Sequence, residues 1–445
     1  MEEGTARSKR PVAIIGGGYS GTILAAKLAR LGVESFLIDG SGRMGRGTAY
    51  STLEPAHLLN VAAHNMSAFA DDPDDFALRF EAAGGDRSDY AERRFYGKYM
   101  GDILDRAVAS GHVECIDAQA LSAERGDTHW TIGLDDGRTL ESAALVLAMG
   151  NQSPEPLAGL ADAGARYIAN PWGEEARKAI DEAVGAGGDI LLIGTGLTMV
   201  DTVLSLDSAG FGGTILALSR RGQMPRSHDK VDPAPVALEE VPSGSVIGLW
   251  RWLRRRSAKH GWRAAVDSLR PHSHRLWQGL SLDQQRRFLR HARPYWDVHR
   301  HRIAPRVAQR MVELIAEGRL TVAAGRILAA RDAGSALEVD IRRRGAKSPE
   351  TKRFACAINC TGPLHAIGKT RDPLLRGLLD SGAIEPDALG IGLGLQDGAR
   401  VAGAENLWAM GGLTKGHYWE IIAVPDIRHQ AAGIAAQIVE EIGHD

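Results

Sequence analysis

The sequence predicts an α/β protein made of two doubly wound halves of one design, with a helical, strongly basic insertion in the second. Three observations carry this expectation. An apolar strand that runs into a glycine cluster and then a helix occurs twice, over residues 12–31 and again from residue 190. The strand-like segments that follow each cluster come in the same order, and such repetition implies a duplicated architecture. The chain has 445 residues, more than one core usually holds, since single cores rarely grow past about 250–300 residues.

In the first half, apolar residues from Val12 to Ile15 lead into Gly16, Gly17, Gly18, Tyr19, Ser20 and Gly21, followed by helical spacing through Ile23, Leu24, Leu28 and Leu31. A second apolar run, Phe36 to Ile38, ends in Asp39, which stands 23 residues beyond Gly16. This is the grammar of a Rossmann-like dinucleotide corner. One glycine makes the turn, one lets a pyrophosphate approach the backbone, and one lets helix and strand pack closely. Free N–H groups at the helix start face the phosphates, and an acid at the second strand's end suits a ribose hydroxyl. Gly16, Gly18, Ser20, Gly21 and Asp39 are therefore candidate FAD ligands, with a purely structural glycine turn as the alternative.

The grammar returns at Ile190 to Ile193, with Gly194, Thr195, Gly196, Leu197, Thr198 and Met199, where Met199 replaces the third glycine and implies looser helix packing. The next strand, from Thr214 to Leu218, ends in Ser219, Arg220 and Arg221 instead of an acid. A carboxylate there would repel a 2′-phosphate, whereas guanidinium groups bind phosphate through paired donors. Gly194, Gly196, Leu197, Thr198, Arg220 and Arg221 thus predict NADPH in preference to NADH. Two solvated surface arginines are the other reading.

Segments 112–116, 130–134 and 143–149 read as three strands that close at Gly150, and 320–324, 337–341 and 355–359 repeat them and close at Thr361 and Gly362. Each half then carries a small antiparallel meander. The expected division is 1–155 for the first part of an FAD domain, 156–370 for the NAD(P)H domain with a helical insertion at about 226–312, and 371–445 returning to complete the FAD domain.

Composition excludes several classes. With 44% hydrophobic and 24% charged residues and a net charge of −2, the chain reads as globular and does not call for nucleic acid as a partner. The polar residues Met1 to Arg10 lack a secretory core, no apolar run approaches the ~20 residues that span a bilayer, and Cys115, Cys356 and Cys360 include no CxxC pair. The expectation is a cytoplasmic protein without membrane, metal or disulfide framework, with an oligomer left open. Charge is nonetheless segregated: residues 251–310 hold fifteen arginines, one lysine and three aspartates, with Trp252, Trp262, Trp277, Tyr295 and Trp296 among them. Docking on the protein's own acidic surface is the first reading of this insertion. An anionic substrate or the NADPH phosphates come second, and a macromolecular partner third. His299 and His301 lack ligands to complete a metal site and read as structural.

Further motifs are residues 45–50 (GRGTAY), 57–61 (HLLNV) running to Met66-Ser67, 294–302 (PYWDVHRHR), and Trp419-Glu420 followed by 425–428 (PDIR). With the glycine corners, these make nearly the whole chain resemble the FAD/NAD(P)-binding protein family, related to the flavin-dependent monooxygenases. The resemblance implies that Thr48, Ala49, Asn60 and Met66 lie along the flavin and that Gly411 and Gly412 meet its ribitol or pyrimidine edge. A capped turn and a packing methionine are the alternative for Asn60 and Met66. Local pattern supports the Gly411-Gly412 placement, because an apolar strand from Leu407 delivers the turn and Pro425 suits a helix start. Such a start would favour negative charge on a reduced ring.

The chemistry this predicts is hydride transfer from NADPH to FAD, which needs aligned rings more than an acid or base. The reduced flavin would then act as a monooxygenase on a small molecule, through a flavin hydroperoxide, with an anionic substrate among the options. His64, Asn65, Lys415, His417 and Tyr418 are the polar candidates near the ring, though each could equally be a loop residue. Two alternatives stand beside this: an NADPH-dependent reductase feeding a quinone or redox protein, and a flavin-binding regulatory protein without turnover.

Overall fold

The structure, a computed structural model, describes residues 10–364 and 366–442. The N-terminal stretch read above as lacking a signal core lies, over residues 1–9, outside the described residues, as do the last three residues of the returning segment. No helix among the described residues is long and apolar enough to cross a membrane.

The first half contains β1 (Val12–Ile15), β2 (Ser35–Ile38), β3 (Val113–Ile116), β4 (Ala120–Arg125), β5 (Trp130–Leu134), β6 (Thr139–Ser142) and β7 (Ala144–Leu147). The second adds β8 (Tyr167–Ile168), β9 (Ile190–Ile193), β10 (Ile215–Ser219), β11 (Leu320–Asp332), β12 (Leu337–Arg343), β13 (Glu350–Phe354) and β14 (Cys356–Asn359), and β15 (Leu407–Ala409) follows. Four helices matter most: α1 (Tyr19–Arg30), α2 (Leu197–Ser208), α3 (Val246–His260) and α4 (Val424–Ile442).

The first sheet is parallel throughout, in the order β15-β7-β1-β2-β3, with Val12 opposite both Ser35 and Ala144. Strand β1 is central and buried on both faces, which is why it reads as an unbroken apolar run rather than an alternating one. The second sheet runs β13-β12-β11-β10-β9-β14-β8. Strands β8 to β11 and β14 are parallel there, and β12 and β13 are antiparallel. Strand β8 lies beside β14 as β15 lies beside β7, so the duplication extends to the edge strand.

The halves differ in their meanders. In the first, β4, β5 and β6 form a separate three-stranded sheet, because residues 117–119 interrupt the path and Asp135 accepts from the Gln119 amide at 2.9 Å. In the second, the strand expected over 320–324 runs on to Asp332. Its first five residues pair with β10, and from Gly325 it pairs with β12, with a bulge between Ile327 and Ala329.

The returning segment completes the first half. Strand β15 joins the sheet through β7, and Ile427, Ile434 and Ile438 of α4 share a core with Ile23 and Leu24 of α1. The helical insertion lies between β10 and the helix Pro305–Ala316. Helix Pro305–Ala316 puts Val307, Met311 and Leu314 into the second half's core, so the insertion ends before it. Its own small core joins Val241, Leu269 and Leu276 to Leu249, Trp252, Leu253 and Trp296. Arginines in and beside it pair with carboxylates: Arg263 to Asp229 at 3.5 Å, Arg270 to Asp426 at 4.0 Å and Arg300 to Glu420 at 3.0 Å from the insertion, and Arg310 of the helix that follows to Asp207 at 2.7 Å.

The halves are pinned by polar contacts on α2. Arg93 pairs with Asp201 at 2.9 Å, both largely buried, and the ring of His57 meets the Asp201 carbonyl at 2.9 Å and the Ser205 hydroxyl at 3.1 Å.

Candidate dinucleotide sites

At the first corner, two glycines are dictated by packing. Gly16 has φ +107°, and a Cβ there would stand 2.5 Å from the Ala148 carbonyl oxygen. A Cβ on Gly21 would fall inside the carbonyl oxygen of Gly16. Asp39 folds back on the turn, accepting from the Gly17 amide at 2.7 Å and from the Ser41 amide at 2.8 Å. The loop after β2 closes over the turn: the Gly45 amide donates to Gly17 O at 2.7 Å. Gly47 (φ +58°) approaches so closely that its Cβ would lie 2.9 Å from the Gly18 Cα. Thr48 and Ala49 follow on the one-turn helix Gly47–Tyr50 and are exposed.

The returning chain brings Gly411 and Gly412 to the same corner. A Cβ on Gly411 would meet the Ser20 hydroxyl at 3.1 Å, and one on Gly412 would meet Gly150 O at 3.3 Å and Asn151 Oδ1 at 2.8 Å. Ser20, Gly150, Gly411 and Gly412 are thus neighbours, joined from segments far apart in sequence. Asn60 is half-buried, with its carbonyl accepting from His228 Nε2 at 2.9 Å, and Met66 is buried in the first core. No side chain caps α1 and its first turn holds no acid. Its leading N–H groups are thereby left for an anion, which fits a pyrophosphate.

The second corner opens on a cavity of about 760 Å³, walled by Gly194, Thr195, Gly196, Leu197, Thr198, Thr361 and Gly362. Gly194 has φ +115° and its missing Cβ makes room for the Cys360 carbonyl, whereas a Cβ on Gly196 would meet nothing within 4 Å. Helix α2 also starts without a side-chain cap or an acid. Met199, at the third-glycine position, is fully buried in the second core. Arg220 lies on the cavity wall, and so does Arg326. Arg221 turns away and sits over the Tyr295 ring at 5.4 Å. Sequence reasoning missed Arg326 because it ended the strand at Ala324; the strand continues, and Arg326 stands just past the stretch that pairs with β10.

The polar candidates form two separate groups. His64 is exposed, with Nδ1 on the Arg87 carbonyl and Nε2 on the Asn65 amide, each at 2.9 Å. His417 meets Gln278 Nε2 at 3.1 Å, and its ring packs on Tyr418 at 4.6 Å. Burial lowers the His417 pKa and raises that of Tyr418. Burial, with the Arg293 charge adding to it, brings Lys415 down to about 8.

Two residues of the Trp419-Glu420 motif have a backbone conformation that the sequence did not reveal. Trp419 (φ +40°) and Glu420 (φ +58°) are consecutive non-glycine residues in the left-handed region, a strain that persists only when the surroundings hold it. Glu420 is held by Arg300 and by the Trp296 indole N–H. Its pKa stays low, because Arg300 and His301 outweigh its burial. Nothing local in the sequence signals this, since both residues are defined by partners over a hundred positions away.

Both second-half thiols are poor nucleophiles: burial pushes Cys356 up to about 11 and Cys360 up to about 12.

Residues 13–152 match a family model described as FAD-NAD(P)-binding. A search of curated proteins returned no match. Among solved structures, L-lysine 6-monooxygenase from Pseudomonas syringae is 17% identical with a TM-score of 0.68, the alignment covering 97% of this chain and 99% of that one. The FAD-bound cadaverine monooxygenase from Erwinia amylovora is 14% identical with a TM-score of 0.68, over 99% and 95%. Thioredoxin reductase from Lactococcus lactis is 13% identical with a TM-score of 0.56, over 98% and 100%. Residues 13–152 are therefore similar to FAD-NAD(P)-binding domains, and the chain as a whole has the mixed α/β fold of these solved structures.

Proposed function

We propose that this protein is an NADPH-dependent FAD monooxygenase acting on a small molecule. The observation that carries the reading is the cavity at the second glycine corner, with two arginines on its wall, in a chain whose first corner lies within the residues similar to FAD-NAD(P)-binding domains. The monooxygenases among the solved structures of the same fold support it.

Bound together, the two dinucleotides would supply hydride transfer and oxygen activation. The chain's residues bind and orient them. Gly18 and the α1 amides would hold the FAD pyrophosphate, and Asp39 would hold its ribose. Ser20, Thr48, Ala49, Asn60, Gly150, Gly411 and Gly412 line its remaining length. Gly196, Leu197 and Thr198 receive the NADPH pyrophosphate, with Thr361 and Gly362 opposite. Arg220 and Arg326, rather than Arg220 and Arg221, clasp the 2′-phosphate. His417 and Tyr418, both uncharged near neutrality, serve as hydrogen-bonding groups on the substrate side.

The test is to purify the protein, record its visible spectrum, and add NADPH and then oxygen-18 gas with candidate substrates. A yellow protein bleached by NADPH, giving a product with one labelled oxygen, supports the proposal. Bleaching followed by electron delivery to a quinone, with no labelled product from any substrate, would replace it with a reductase. Failure of NADPH to bleach the flavin would leave a binding protein. A disulfide reductase is the weakest alternative, because the two second-half cysteines are buried and held protonated.

A further inference from the structure

Strand β11 changes partner at Gly325, where its pairing passes from β10 to β12. The crossing is tight: a Cβ on Gly325 would stand 3.0 Å from the Arg342 carbonyl oxygen and 3.0 Å from Leu218 Cδ1. The end of β10 and the β11–β12 hairpin therefore press together there, in a fixed register. In that register Arg326 stands directly opposite Arg342. Residues so placed on antiparallel strands share a face, with Cα atoms about 4.5–5.5 Å apart.

Two guanidinium groups in this arrangement repel each other, and like charges directly opposite destabilise a strand pair. The same meander neutralises its other arginines. Arg331 pairs with Glu338 at 2.8 Å, Arg343 with Glu350 at 2.8 Å and Arg353 with Glu338 at 4.0 Å. Among the described residues no carboxylate pairs with Arg326 or Arg342, and both are exposed. Arg326 also forms part of the wall of the cavity at the second glycine corner, together with Arg220 from the end of the adjoining strand. A doubly charged anion suits such a pair, because a phosphate accepts paired N–H donors from a guanidinium and offsets both charges.

We propose that Arg342 is a coenzyme-selecting residue, which with Arg326 takes the 2′-phosphate of NADPH and is relieved by it of a repulsion built into the sheet. The inference rests on the NADPH reading of the second corner and extends the phosphate's partners to a third neighbouring strand.

The test uses the purified full chain with its flavin and without NADPH. The probes are 2′,5′-ADP and 5′-AMP, which differ only in the 2′-phosphate, titrated by calorimetry. Arg342→Ala should weaken 2′,5′-ADP binding about tenfold and leave 5′-AMP binding unchanged. Without a probe, Arg326→Ala and Arg342→Ala should each melt at a higher temperature than the parent, and added salt should narrow the difference by screening the repulsion. Saturation with 2′,5′-ADP should reverse the order, because the parent gains more from the tighter ligand. Unchanged 2′,5′-ADP affinity in Arg342→Ala, or an equal loss for 5′-AMP, would overturn the role of Arg342 and leave the coenzyme reading standing. Lower melting temperatures of both unliganded variants would overturn the built-in repulsion. A parent chain that binds 2′,5′-ADP no better than 5′-AMP would overturn the NADPH reading itself, and this inference with it.

Discussion

Gly21 and Gly196 both belong to a strand–turn–helix corner, yet the space around them predicts opposite outcomes. A methyl at Gly21 runs into the backbone oxygen of Gly16. Gly21→Ala should therefore lower stability by roughly 1–3 kcal/mol, the usual cost of overpacking, and thermal melting of the purified variant checks this. A side chain at Gly196 meets open space, so Gly196→Val should melt like the parent but raise the NADPH Michaelis constant tenfold or more, because it occupies the pyrophosphate's path. The arginines separate in the same way. Replacing Arg220 or Arg326 with alanine should each raise the Michaelis constant for NADPH about tenfold, a loss of about 1.4 kcal/mol, with little change for NADH. Arg221→Ala should change neither coenzyme's constant appreciably, since its guanidinium lies over Tyr295. Equal effects at all three positions, in steady-state kinetics with both coenzymes, would refute the clasp.

At the scale of elements, the strained turn at Trp419 and Glu420 depends on the insertion that holds it. Removing one partner of a buried ion pair leaves an uncompensated charge and costs about 3–5 kcal/mol, so Arg300→Ala should destabilise the chain on that order in urea unfolding. The same variant should also loosen the segment after Gly412, visible as faster amide exchange there. The sequence made the two glycine corners legible because strand, turn and helix are adjacent and each glycine answers to a local constraint. The first parallel sheet was legible because β1, β7 and β15 are buried on both faces. Strands β4 and β13 escaped because each has a single buried residue, so no apolar alternation marks them. Arg326 and the Trp419-Glu420 turn escaped for a different reason. Their roles are set by pairing and packing across long sequence separations, and no spacing rule reports that.

For the whole molecule, the joint between the halves carries a titratable group. His228 Nε2 meets Asn60 O, its ring lies 5.2 Å from that of Tyr90, and burial, reinforced by Arg302, lowers its pKa to about 4. The unfolded chain takes up this proton near pH 6.5, well before the folded one does. Between about pH 6.5 and 4 the unfolded state thus binds more protons, and stability present above that window is lost as pH falls through it. His228→Gln should flatten this part of the stability profile measured by urea denaturation, and an unchanged slope would assign the acid sensitivity to other groups. The order of strands in the first sheet has a further consequence, for synthesis. Strand β15 and helix α4, which finish that sheet and pack on α1, are translated only after the entire second half. On the ribosome the nascent chain must carry an open sheet edge beside β7 while some 250 residues are added, at a pace of about 5–20 residues per second. The second half, with its edge strand β8 made beforehand, closes first.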